Sequence, residues 1–561
     1  MHHCLQVVEI LQNIFKFLRA DHDAQLGTLA NLALTCRTFQ EPALDALWWS
    51  ISSLDPLRRL MPDDLWDRVE NSELRQVSRR RIEPSDFIRW SFYVGRVRKI
   101  CDWARMRDDH VQFPIFHSSA DSHFLAIPES YAIQFFPNLE QLDISSFVHG
   151  QPSQTPINAY LRPSLKDLRL FVKFPDTCFD ALCEALRQTC PALEHFLCRT
   201  SSMGSPWPDF TPHPIPAFSK LVMELSFLKE LRCPKIHIQD HVIHHLSQLP
   251  KLQILDIGNA VEDFVGCLRS LPRFSSPPFP NLHYLELMVE ELCSATVDLV
   301  QVISSDIKQL TLKHNILFVP KEQHLHNFFQ TLASTRWKKS LRFLSIQGEA
   351  GSATLESEVW VSPDYRVTPN TLKPLLALPE LEDLDLDLEI AFELDNAMLG
   401  SMAQAWPNLS SLRIGGSGGT WGIVEGGAKI TLDGLIPLVQ CCPNLETLSI
   451  CLDAVTAFPS PPRRPGRGAI NEHVQSLHLC NSTISDPVEV ASFLSDLFPN
   501  LLDVTAWSEG WMPTEDPDTE IEGWDEVNKL LPAFRNVRKQ ERVFQRVVGG
   551  ASTISVPMEA D

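Results

Sequence analysis

From about residue 137 one short arrangement of apolar and polar positions keeps returning, Pro-x-Leu-x-x-Leu-x-Leu. It first reads Pro137-Asn138-Leu139-Glu140-Gln141-Leu142-Asp143-Ile144. Clear copies begin at Pro163, Pro191, Pro250, Pro280, Pro379, Pro407, Pro443 and Pro499, and copies without the proline centre on Leu228, Ile307, Leu341 and Val474. The first apolar positions fall at 139, 165, 193, 228, 252, 282, 307, 341, 381, 409, 445, 474 and 501, which is 13 copies spaced 24 to 40 residues apart. A period in that range predicts a solenoid.

Each copy predicts the same unit. Leu-x-Leu alternation sends two side chains to one face of a short strand and the residue between them to the other. The proline ahead of it ends a helix and sets up extended chain. Apolar residues three and four apart predict helices at Phe179–Leu186, Thr431–Val439 (with a kink at Pro437) and Val488–Leu494. A strand-plus-helix unit leaves an open apolar face that stacked neighbours close, so the fold class is α/β.

Residues 1–50 read differently. Ile10, Ile14 and Leu18 recur at four-residue spacing, with Phe15 and Phe17 widening the stripe. Leu29, Leu32, Ala33 and Cys36 form a second stripe, and Pro42 suits the start of a third helix carrying Ala43, Leu44, Leu47 and Trp48. Three short helices make a core that is marginal by itself and calls for a partner or a neighbouring domain.

The repeats resemble the leucine-rich-repeat family in its long, irregular form, which implies a curved solenoid with parallel strands on the concave side and helices outside. The string Glu9-Ile10-Leu11-Gln12-Asn13-Ile14-Phe15-Lys16-Phe17-Leu18, then Leu32-Ala33-Leu34-Thr35-Cys36-Arg37, then Pro42-Ala43-Leu44-Asp45-Ala46-Leu47-Trp48, resembles the F-box of proteins from mushroom-type fungi. Val7-Val8 stand where that family usually has Leu-Pro. The resemblance implies a substrate receptor of a Skp–cullin–F-box ubiquitin ligase. Its N-terminal helices would hold a Skp-type adaptor, and through it a cullin, with contacts at Val8, Ile10, Ile14, Leu18, Leu32 and Cys36. The alternative is a repeat scaffold or inhibitor whose N-terminal helices only cap the stack. The expected organisation is an F-box-like module at 1–50, a helical linker and cap at 51–130, the repeats at 131–510, and an acidic loop, capping helix (near Val527–Phe534) and disordered tail at 511–561.

In a stacked repeat the residue between the two core leucines faces outward. Here that position holds Asp143, Arg169, Arg232, Asp256, Glu286, Thr311, Ser345, Asp385, Arg413, Ser449 and His478 in turn, with Asp387 beside Asp385. Asp256, Glu286, Asp385 and Asp387 are the expected acidic patch for a basic protein substrate.

Charge bears on the partner. The 561 residues carry a formal charge of −21, yet residues 1–110 hold 16 basic and 16 acidic residues, so the excess lies in the remainder. A surface that negative repels phosphate backbones and anionic lipid, which argues against nucleic acid and membrane partners. Arginines at 79–81, 89, 96, 98, 105 and 107 interleave with Trp90, Phe92, Tyr93 and Trp103, but acids share the segment. The 14 cysteines show no framework, the start has no signal-peptide pattern, and no run of about 18 apolar residues occurs. A reduced, cytoplasmic or nuclear protein is expected.

No chemistry stands out. His241, His244 and His245 lack the glutamate and third ligand of a zinc-protease helix, and read as a solvated face. The Gly415–Thr420 run has no Gly-Lys-Ser/Thr after it, and 458–468 is a proline-rich loop. No enzyme, cofactor or metal is expected. Eight acids between Trp507 and Glu526 would form an exposed segment.

Overall fold

The computed structural model describes residues 7–20, 26–52, 55–65, 80, 83–101, 135–144, 157–173, 178–201, 215–270, 277–289, 292, 294–315, 320–349, 363–388, 390–415, 428–455, 466–506 and 517–551. The chain forms two compact units, residues 1–205 with 212–257, and residues 206–211 with 258–561.

In the first unit, helices α1 (Val8–Ala20), α2 (Leu26–Thr35) and α3 (Arg37–Trp48) precede seven parallel strands. These are β1 (Ser50–Ile51), β2 (Lys99–Cys101), β3 (Gln141–Ile144), β4 (Asp167–Lys173), β5 (His195–Ser201), β6 (Glu230–Cys233) and β7 (Ile254–Ala260), paired in that order. In the second unit β8 (Tyr284–Val289), β9 (Gln309–Asn315), β10 (Phe343–Glu349), β11 (Asp383–Asp387), β12 (Ser411–Ile414), β13 (Thr447–Ser449), β14 (Ser476–His478) and β15 (Asp503–Thr505) pair likewise, all parallel. Each strand from β3 to β15 begins two residues after the first apolar position of a sequence copy. Strands β1 and β2 have no Pro-x-Leu turn before them and were not expected; they extend the sheet back to α3.

Register explains the leucines. Ile51, Ile100, Leu142, Leu168, Phe196, Leu231 and Leu255 are side by side in the first unit. Leu285, Leu310, Leu344, Leu384, Leu412, Leu448, Leu477 and Val504 are side by side in the second. All are buried. Each such side chain contributes about 1.5–3 kcal/mol by leaving water, so every strand adds a wall that its neighbours complete.

The proline has a defined place. Phe136-Pro137-Asn138-Leu139, Trp406-Pro407-Asn408-Leu409 and Phe498-Pro499-Asn500-Leu501 are four-residue turns in which the leucine N–H donates to the carbonyl three residues back, at 3.0–3.1 Å. Proline suits the second position of such a turn because its φ is already set. Before the second and third of these turns a helix stops one residue earlier, at Ala405 and Leu497. The first unit has α4 (Ile88–Val94), α5 (Cys178–Thr189), α6 (Pro216–Glu224) and α7 (Asp240–Gln248). The second has α8 (Val261–Arg269), α9 (Ser294–Val302), α10 (Glu322–Ser334), α11 (Asn396–Ala405), α12 (Leu435–Cys441), α13 (Pro487–Leu497) and α14 (Pro517–Ala551). Indole N–H groups tie repeats together: Trp337 donates to the Ser305 carbonyl (3.1 Å), Trp406 to Leu375 (3.3 Å) and Trp524 to Ser482 (2.9 Å).

Three local expectations change. Helix α3 begins at Arg37 and carries Pro42 inside it, because Pro42, Ala43 and Ala46 are buried together in the head and their packing outweighs one lost backbone hydrogen bond. Pro437 lies in the first turn of α12, where an N–H has no helical acceptor, so a 3₁₀ turn at Leu432–Gly434 replaces the expected kink. The terminal helix runs 35 residues rather than eight, its second half too charged to show an apolar stripe.

Helix α14 also closes the last strand. The Asn528 amide accepts from the Val504 N–H and donates to the Val504 carbonyl, both at 2.8 Å, standing in for a further strand at an exposed edge. Asn528→Leu is expected to cost about 1–3 kcal/mol in urea unfolding by leaving both groups unpaired.

Candidate functional site

The head is built on Leu11, Phe15, Leu29, Ala43 and Ala46, with Leu18, Leu32, Ala33, Phe39 and Leu47 packed around them. Phe15 meets Phe39 edge-on at 5.8 Å between ring centres. On α1 the core row is therefore Leu11, Phe15 and Leu18, at four- and three-residue steps.

A second row lies on the same helix. Ile10 (39% exposed), Ile14 (40%) and Phe17 (80%), preceded by Val7 (42%), recur at the same helical spacing but turn outward. Val8 is exposed as well, and α2 adds Leu26 and Leu34, the latter 85% exposed. Of the six residues implied as adaptor contacts, Val8, Ile10 and Ile14 are exposed, whereas Leu18, Leu32 and Cys36 are half-buried, Leu18 and Leu32 against the head's own core. The four-residue spacing predicts a single stripe, whereas the helix carries two rows, and Phe17, Leu26 and Leu34, absent from the implied contacts, are exposed. The signal was there: α1 is apolar on two faces, and a small head can cover only one of them.

The head is fastened to the first repeat. Strand β1 follows α3 directly, and the Arg98 and Lys99 N–H groups both donate to the Trp49 carbonyl at 2.9 Å. The Arg96 guanidinium pairs with Glu41 (2.5 Å) and Asp45 on α3 and lies over the Phe92 ring at 4.6 Å. Trp48 packs on Tyr93 at 4.8 Å, and Arg19 covers Trp49 at 3.7 Å. A shallow cleft between α1 and α3 is lined by Gln12, Lys16, Arg19, Pro42, Asp45, Ala46 and Trp49. Three of the linker arginines are engaged by acids: besides Arg96, Arg80 pairs with Asp64 and Asp86, both at 2.7 Å, and Arg98 with Glu140 at 3.7 Å, while Arg79 and Arg81 lie outside the described residues. Residues 102–134, with Trp103, Arg105 and Arg107, lie outside the described residues.

The outward positions of the strands do line up. In the first unit Asp143 neighbours Arg169, and Arg232 neighbours Asp256. In the second, Glu286, Thr311, Ser345, Asp385, Arg413, Ser449 and His478 follow one another across seven strands. Asp256, Glu286 and Asp385 are only 6–7% exposed. Glu286 pairs with Lys313 and accepts from the Tyr284 hydroxyl at 2.6 Å. Asp385 pairs with Arg413 at 3.1 Å and accepts from the Gln347 amide at 2.8 Å. Asp387 is two residues along β11 from Asp385 and half-buried, Glu286 is three strands away, and Asp256 belongs to the first unit. The ribbon is thus one of mixed charge, with Glu286 and Asp385 held by cations on adjacent strands.

The same pattern sets a pH dependence. Glu230 accepts from His195 (3.0 Å) and Arg232 (2.5 Å), which hold its carboxyl down to about 2 from an ordinary value of 4.5 against the opposing effect of burial. A lowered folded pKa stabilises fully above the unfolded value and is lost as pH falls toward the folded one. Glu230→Gln is expected to be less stable than the parent by on the order of 2 kcal/mol at pH 7, the difference shrinking from about pH 4.5 to pH 2, in thermal melts across that range.

Little here supports covalent chemistry. Burial pushes the thiols of Cys198, Cys442 and Cys480 up to about 12, which keeps them protonated and poorly nucleophilic. Among the described residues no group of three or more His, Cys, Asp or Glu could hold a metal ion, His241, His244 and His245 included. No helix among them is long and apolar enough to cross a membrane. The Gly416–Thr420 run, the 458–465 part of the proline-rich loop and acidic residues 509–516 lie outside the described residues.

No family model matches the chain, and no curated protein matches it. Among solved structures it is similar to a chain of the crystal structure of a TLR13–ssRNA13 complex, at 14% identity and a TM-score of 0.25, over 66% of this chain and 49% of that one. The chain spans about half the length of that structure.

Proposed function

We propose that the chain is a substrate receptor of a Skp–cullin–F-box ubiquitin ligase, an F-box head joined to a leucine-rich-repeat body. The observation that carries this reading is the second apolar row on α1, Ile10, Ile14 and Phe17, preceded by Val7 and continued by Leu26 and Leu34 on α2. These side chains touch no core of their own, while their neighbours Leu11, Phe15 and Leu29 already fill the head. A Skp-type adaptor is the partner implied by the F-box resemblance of the same segment, and a cullin would join through it. An interface of about 800 Å² per partner is the usual scale for such docking.

The body would present a protein substrate along the outward positions of the strands, with transfer chemistry supplied elsewhere in the assembly. Asp256, Glu286, Asp385 and Asp387 remain the proposed contacts for a basic substrate. Because Lys313 and Arg413 already engage Glu286 and Asp385, a basic side chain would have to replace or share those cations. The test of the reading is co-purification of the full chain with a purified Skp-type adaptor. A stoichiometric complex, lost when residues 1–50 are removed, supports it. Absence of binding by the folded chain leaves the scaffold or inhibitor reading.

A further inference from the structure

The residue just ahead of most strands also stacks on its neighbours, since its N–H donates to the carbonyl of the equivalent residue one repeat back. In the first unit this row reads Trp49, Arg98, Glu140, Lys166, Glu194, Lys229, Gln253, its five charged members alternating in sign. Glu140 lies 3.7 Å from both Arg98 and Lys166, and Lys229 pairs with Glu194 at 2.5 Å. Such alternation is what cross-strand electrostatics favours.

The second unit breaks it. There the row reads His283, Lys308, Arg342, Glu382, Ser410, Glu446, with two cations adjacent: the Arg342 N–H donates to the Lys308 carbonyl at 2.8 Å, and the Lys308 N–H to the His283 carbonyl at 2.8 Å. Arg342 has Glu382 at 3.1 Å, but no ion pair is seen for Lys308 among the described residues. Burial, with the Lys308 ammonium adding to it, holds the His283 imidazole below its ordinary value.

More positive charge is fixed on the same spot. The turn Arg336-Trp337-Lys338-Lys339 is clamped over residues 304–307 by three bonds. Buried Trp337 donates to the Ser305 carbonyl at 3.1 Å, the Ser340 hydroxyl to the Ile307 carbonyl at 2.8 Å, and Arg336 to the Ser304 carbonyl. Lys308, Arg336, Lys338, Lys339 and Arg342 are all exposed. Against these five stand Asp306 in the same loop, and Glu380 and Glu382 of the next repeat. Strands are about 4.8 Å apart, so charges on adjacent repeats are well inside the Debye length of about 8 Å at physiological ionic strength.

We infer that this rim of β9 and β10 is a docking site for a short acidic segment, rich in Asp and Glu, of a partner protein. Like charges set side by side on a rigid platform repel one another until an anion joins them, and this occurs in a chain whose net charge is −21. That net charge also selects the partner's form. A long polyanion such as RNA would meet the acidic remainder of the surface, whereas a short peptide meets the patch alone. The site belongs to the second unit and the head to the first, and the inference does not depend on adaptor binding.

The test titrates a fluorescein-labelled glutamate-rich peptide of about ten residues into the full chain and follows anisotropy. Binding should weaken about tenfold between about 50 and about 200 mM salt. It should fall about tenfold or more in the Lys308→Glu/Lys338→Glu/Lys339→Glu variant, and the glutamine version of the peptide should not bind. These lysines are exposed, so the variant should keep the parent's circular dichroism and melting temperature, and Ile14→Asp should bind the peptide as the parent does. Equal affinity of the triple variant, or tighter binding of a single-stranded RNA of similar charge, would overturn the inference.

Discussion

Replacing Leu344 with Asp is expected to unfold much of the second unit, at a cost above about 5 kcal/mol in urea titration, with Leu344→Ala costing about 3 kcal/mol. Leu344 is 1% exposed and stands in register between Leu310 and Leu384, each also buried. A carboxylate there would be dehydrated between two leucine walls with no cation to pair with, so it would protonate or force the repeats apart. Because stability in such stacks is close to a sum of repeats and their interfaces, one broken wall weakens both neighbours. A cost below about 1 kcal/mol for Leu344→Asp would mean that the leucines of successive copies do not form one continuous core.

Phe17→Asp combined with Ile14→Asp is expected to lower affinity for a Skp-type adaptor by about 100-fold or more, close to 2.7 kcal/mol. Both side chains face outward, so the melting temperature should stay within the effect of about 0.5 kcal/mol usual for surface changes. Phe15→Ala makes the contrast. Phe15 is 2% exposed in the head core, and its loss should cost about 3–5 kcal/mol of head stability together with binding. Titration calorimetry and thermal melts on the same three proteins separate the two behaviours. Equal binding by the double variant would remove the outward row from the proposed interface.

Much of this fold could be read from the sequence because it repeats a local rule. Pro137, Pro407 and Pro499 each set a turn, a leucine follows, and a strand begins two residues later; no long-range information is needed. Strands β1 and β2 escaped because nothing before Ile51 or Ile100 makes that turn, and their pairing rests on α3 delivering Ser50 next to Lys99. The short parallel pairs Arg366–Val367 with Ala391–Phe392, and Asp453–Ala454 with Thr483–Ile484, are too brief to leave an alternating pattern.

The sites were less legible, for a physical reason. That Glu286 meets Lys313, or Asp385 meets Arg413, depends on the register between repeats of unequal length, which spacing along the chain does not define. In the head, the identity of the apolar residues was plain but their division between core and surface was not. Ile10 and Leu11 are adjacent in sequence, and about 100° of helical rotation puts Leu11 in the core and Ile10 outside.

Amide hydrogen exchange of the full chain, with and without a purified Skp-type adaptor, tests the proposed docking face most directly. Slowed exchange confined to α1 and α2, strongest at 8–18 and 26–35, with unchanged rates in β8–β15, is the predicted result. Unchanged exchange in both helices at saturating adaptor, or protection that appears in the strands instead, would contradict the account.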